Sequence, residues 1–190
     1  MDAKYFSVSS LLVEEERMPC VSTIEFAGLG YLDPTTLGED LPEETRLETP
    51  LWLAKLLASK SAVNIDYPKH YKESFCEHLE AGPAAVNLRE QSPHYFTAGQ
   101  ALARLKREDR LQKTLLFAYT GERFERIMDL AFNSQHEDVT EHLRTFTDVE
   151  QELFDSGFQA TLNFASWRSR KTKNIKASSM SKPDAKRQRK

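Results

Sequence analysis
The chain has 190 residues, 39 % of them apolar and 29 % charged, with a net charge of −3 and a mean hydropathy of −0.58. That is length for one ordinary domain or two small ones. No run approaches the roughly 18 consecutive apolar residues that a membrane span needs. The opening "MDAKYFSVSS" lacks a basic stretch followed by an apolar one, so no secretory signal is expected. Cys20 and Cys76 stand in separate segments with no CxxC neighbour, which predicts free thiols in an intracellular, reducing setting.

Taken in order, "KYFSVS" and "CVSTIEF" carry β-forming residues with a weak alternation, Val21 and Thr23 giving the period, and predict strands. "GYLDPTTLGEDLPEETR" is acidic and broken by Gly and Pro, and predicts a loop. In "TPLWLAKLLASK", Thr49 followed by Pro50 reads as a helix start. Leu51, Trp52 and Leu53 are too crowded for one stripe, so they are expected to dock this short helix onto its neighbours as packing between modules. "AVNIDYP" closes the region as a strand ending at Pro68. Residues 1–66 are therefore expected to form a small β-rich module with one helix.

From Pro68 the period becomes helical. Tyr71, Phe75, Cys76 and Leu79 share a face, and Gly82 and Pro83 end that segment. Ser92 as cap and Pro93 in the first turn open the next helix. "DRLQKTLLFAYTGERFERIMDLAFN" predicts a single helix of roughly 20 residues, about 30 Å, capped by Asp109. A last long helix is expected through Val139, Leu143, Phe146, Leu153, Gly157, Ala160, Phe164 and Trp167. About four helices would make 67–168 an all-α domain, so the chain is expected to be mainly α with the β-rich module first.

Residues 169–190 are basic and almost free of large apolar side chains, which predicts a disordered tail. From Arg168 onward ten Lys/Arg face one acid, so the body is strongly acidic. Lys186, Arg187, Arg189 and Lys190 fit a nuclear localisation patch or a contact to phosphates, and a solvated tail is the plain alternative. No aromatic residue alternates with these charges, which argues against base stacking.

Chemistry is harder to find. "HEDVTEH" resembles a zinc helix only superficially, because His136 and His142 are six residues apart, about 240° around a helix. "GLGYLD" lacks the third glycine of a dinucleotide site, and neither a nucleophile elbow nor a phosphate loop occurs. No catalytic residue, metal or cofactor is predicted.

Apolar surface is plentiful instead. Phe117 and Tyr119 fall about 200° apart on a helix, so apolar side chains occupy opposite faces of the segment that also carries Phe124 and Ile127, while Phe154 and Phe158 lie off the Leu143, Phe146, Leu153 line. Two stripes need two partners: either a thick bundle surrounds the inner helix, or the second stripe belongs to an obligate interface. The candidate interface residues are Phe117, Tyr119, Arg123, Phe124, Arg126, Ile127, Met128, Phe154, Gly157 and Phe158. Arg123 and Arg126 flank an aromatic anchor, Glu122 and Arg126 are spaced for an i, i+4 pair, and Gly157 would admit a close neighbouring helix.

"LETPLWLAKLL", "SPHYFTAG", "RFERIMD" and "ELFDSGFQATLNFASW", in this order over residues 4–168, resemble the eukaryotic GINS family, in the third subunit of its "partner of Sld-five" series. One departure is that Glu122 separates Gly121 from "RFERIMD". The resemblance implies a helical A domain and a small β-rich B domain, here with B first. It also implies an obligate heterotetramer with three other GINS subunits, which joins the minichromosome maintenance ring and the Cdc forty-five protein in the replicative helicase. On that basis the chain is expected to be a nuclear, non-catalytic structural subunit in DNA replication, with any DNA contact indirect and no membrane contact. The alternative is a nucleic-acid-binding protein acting through its basic tail.

Overall fold
The computed structural model describes residues 7–33, 40–134 and 138–169. Helix α1 (Val8–Glu14) opens the described chain and takes up the end of "KYFSVS", for which a strand is expected; residues 4–6 of that stretch lie outside the described residues. Val8, Leu11, Leu12 and Glu15 recur at helical spacing, and this longer pattern overrides the short alternation at its start. Strand β1 (Arg17–Ser22) pairs antiparallel with β2 (Arg46–Pro50) on one side and β3 (Val63–Ile65) on the other, giving the order β2-β1-β3. Met18, Cys20 and Ser22 point inward, whereas Thr23 and Ile24 are exposed. The alternation is therefore offset by one residue from the Val21 and Thr23 period, which exchanges the two faces.

Strand β2 lies where a loop running into a helix is expected. "RLETP" alternates, with Leu47 and Thr49 buried between charged Arg46 and Glu48, and Thr49 Oγ1 lies 3.3 Å from Cys20 Sγ. Helix α2 (Leu51–Ser59) follows directly, with Pro50 at its cap instead of Thr49. Leu51 and Ala54 seal it against the sheet.

The helical part comprises α3 (Glu73–Ala81), α4 (Leu88–Gln91), α5 (Tyr95–Lys106), α6 (Asp109–Thr120), α7 (Glu122–Asn133), α8 (Thr140–Leu143) and α9 (Asp148–Arg168). The architecture is the expected mainly α one behind a small sheet. The single 20-residue helix, however, is two, α6 and α7, parted at Gly121. Glycine is the weakest helix former apart from proline, and a Cβ here would meet the Phe117 carbonyl oxygen at 3.1 Å. The last periodic segment is likewise divided. Thr147 takes an extended conformation ahead of α9, and its N–H and hydroxyl both donate to Glu150 Oε2 at 2.8 Å, a side-chain cap that starts a new helix.

The main hydrophobic core runs from the sheet into α3, α5 and α6, so the first module and the bundle share one interior. At its centre Tyr71 and Tyr95 stack with centroids 4.8 Å apart. The Tyr71 hydroxyl donates to the Tyr95 carbonyl at 2.6 Å, and the Tyr95 hydroxyl to the His70 carbonyl at 3.0 Å. Only glycine fits at Gly99, where a Cβ would lie 2.7 Å from the Tyr71 ring. A second, smaller core, Ile127, Ala131, Phe146 and Phe154, belongs to α7, α9 and the segment that leads into α9. Among the described residues no helix is long and apolar enough to cross a membrane.

Candidate assembly surface
Helices α7 and α9 run parallel. The start of α7 meets the start of α9 through Arg123 and Glu150, and further along a Cβ on Gly157 would lie 3.1 Å from the Ala131 Cβ. Gly157 therefore admits a helix of the same chain. Phe154, buried, lies tilted against Phe146 at 6.2 Å and stacks on Phe158 at 5.7 Å. Ile127 is buried in the same cluster. Ile127 and Phe154 thus belong to the internal core of this helix pair, where they are buried within the chain, while Gly157 and Phe158 are half-buried beside it.

Arg123 is corrected in the same way. It is buried, its Nε donating to Glu150 Oε1 at 2.5 Å and its Nη2 to Oε2 at 3.0 Å. Its Nη1 donates to the carbonyls of Pro83 and Val86, each at 2.8 Å. A guanidinium with those four acceptors is an internal tie. Arg126, one turn away, is exposed, with Nη2 3.2 Å from His142 Nδ1. Met128 and Tyr119 are half-buried, and Tyr119 packs edge-on against Phe96 at 5.3 Å. Phe117 and Phe124 are exposed.

The inter-module set divides too. Leu51 is fully buried and Leu53 half-buried, but Trp52 is 47 % exposed on the outer face of α2 beside Leu56. Trp52 is not the seal that the crowded apolar triplet predicts; Leu51 and Ala54 fill that role.

What remains bare is a ridge. Helix α7 stops at Asn133, two residues past Ala131, whereas α9 runs on from Gly157 to Arg168, about 16 Å at helical rise. Phe164 is seven residues after Gly157 and so prolongs the face that α7 covers, but nothing in the described chain covers it there. Phe164 is 59 % exposed and Trp167 67 %, their rings 5.8 Å apart, with Leu162 also exposed. Leu116 and Phe117 on α6 and Phe132 on α7 add to the bare apolar surface. Leu116, Phe132, Leu162, Phe164 and Trp167 are absent from the expected interface set, and the seven-residue step from Gly157 to Phe164 was the signal available for the ridge. Lys186, Arg187, Arg189, Lys190 and His136 lie outside the described residues.

Fold and surface together define a helical-bundle protein with a β module built into its core and a ridge of uncovered aromatic side chains. Residues 59–169 match the model described as "GINS complex protein helical bundle domain", and residues 6–59 match the one described as "PSF3 N-terminal domain". The chain is 31 % identical to the DNA replication complex GINS protein PSF3 of Xenopus laevis, over 94 % of this chain and 87 % of that one. It is 27 % identical to the Homo sapiens protein of the same name, over 94 % and 87 %. For the Aspergillus fumigatus protein the identity is 28 %, over 79 % and 88 %. The chain belongs to the GINS family, on its PSF3 branch.

Proposed function
We propose that this chain is a non-catalytic structural subunit of a nuclear GINS heterotetramer acting in DNA replication, and that the tetramer joins the minichromosome maintenance ring and the Cdc forty-five protein. The names of its relatives supply the setting. The observation that carries the structural role is the α9 ridge of Leu162, Phe164 and Trp167, left bare beyond the end of α7. Removing such side chains from water contributes roughly 1–2 kcal/mol each, and interface cores are enriched in aromatic residues for this reason. Sister subunits laid along the ridge provide that cover, and Phe117 and Phe124 extend the surface onto α6 and α7.

Co-expression with the other three GINS subunits, followed by native mass measurement, tests the proposal. The expected result is one species with one copy of each chain. A chain that stays a monodisperse monomer at high concentration and ignores the other three overturns it. The basic C-terminal residues, on which a nucleic-acid-binding reading would rest, lie outside the described structure, and no observation favours that reading.

A further inference from the structure
The buried apolar side chains fall into two clusters, one running through the sheet, α3, α5 and α6, the other confined to α7–α9. The connection between them is polar. Arg123 ties both α7 and α9 to the Pro83 and Val86 carbonyls. Arg89 donates to the Phe146 carbonyl at 2.6 Å. Asp148 accepts from His94 at 2.8 Å, and its N–H donates to the Pro93 carbonyl at 3.0 Å.

Packing along this seam is thin. A cleft of about 180 Å³ opens between the 84–87 segment and α7, α9 and Phe146, and one of about 240 Å³ between Phe96, Leu115, Tyr119 and Val149. The buried Asn87 Oδ1, on the first cleft, finds no hydrogen-bond partner among the described residues. The chain crosses the seam at Gly121, where the helix is already broken.

We infer that α7–α9 form one separately opening unit, latched to the rest of the chain by Arg123, and that this latch sets the position of the aromatic ridge. Cooperative units of unequal stability are a general property of folded chains. This one coincides with an apolar cluster that has its own core and is fastened to the rest by the polar contacts of Arg123, Arg89 and Asp148. The guanidinium is the positioning group because, among the described residues, it bonds both α9 and the 83–86 segment from α7. Partners laid along α9 would hold the latch closed, a consequence that rests on the proposed function; the existence of the unit does not.

Amide hydrogen exchange on the full-length chain, alone and in the four-chain complex, tests this. In the free chain, amides of 122–133 and 149–160 should exchange at one common rate, faster than those of 97–106 and 111–119. Arg123→Met should speed the first set by about tenfold or more and leave the second unchanged, because it strands Glu150 without its buried partner. Adding Glu150→Met should restore most of the protection. Should Arg123→Met fail to fold, Asp148→Asn, which weakens only the His94 and Arg89 contacts of a partly exposed side chain, should move the same set in the same direction. Equal protection across both clusters, or α7 and α9 exchanging independently, overturns the inference. In the complex the first set alone should slow. If no complex forms while the free chain still opens as one unit, the assembly role fails and the latch stands.

Discussion

Glu150 is fully buried with its carboxylate shared between Arg123 and the Thr147 cap, and such a charge is tolerable because it is paired with a guanidinium and both oxygens accept hydrogen bonds. Neighbouring residues elsewhere have opposite fates for equally local reasons. Leu51→Ala should cost about 2–5 kcal/mol by opening a cavity under the sheet, while Trp52→Ala should cost far less; urea unfolding of both variants decides it, and equal losses would contradict the assignment. At His70, burial holds the imidazole below its usual range, opposed only in part by Glu16. The unfolded chain therefore binds more protons once the pH falls below about 6.5. Stability from this group is complete above that value and declines as the pH drops. Wild type should lose more stability than His70→Gln between about pH 7 and pH 5, and parallel curves for the two would refute this.

Among the elements, α5 and the α6 and α7 segments were legible in the sequence because their apolar spacing is long and regular. Their interruptions were harder to read. Tracking the period straight across Gly121 merges α6 with α7, although a glycine in mid-run is itself a breaking signal. Five residues of β2 carry too little pattern to stand out from an acidic loop, and only pairing with β1 makes them a strand. Helix α9 shows the converse limit. Its stripe is visible from Leu153 to Trp167 in the sequence, but where α7 stops beneath it is set by tertiary packing. The double variant Phe164→Ser, Trp167→Ser should therefore leave the unfolding free energy of the free chain within about 0.5 kcal/mol of wild type and yet weaken recovery of the four-chain complex. A large loss of intrinsic stability would show that the ridge is internal core.

At the scale of the whole molecule, helix-rich class and module order follow from periodicity and from the matched segments of the family. Which apolar residues face inward does not follow, because it depends on how α7 and α9 lie together. Hence Arg123, Ile127 and Phe154, expected at an interface, are buried within the chain, whereas Phe164 and Trp167 are left bare. The central claim is that sister chains cover those two rings. With Trp52 replaced by Phe, Trp167 is the only tryptophan in this chain. Its fluorescence, read with partner tryptophans replaced, should be that of a water-exposed indole in the free chain and shift to the blue on assembly. A complete four-chain complex in which Trp167 still emits as if in water would contradict the account.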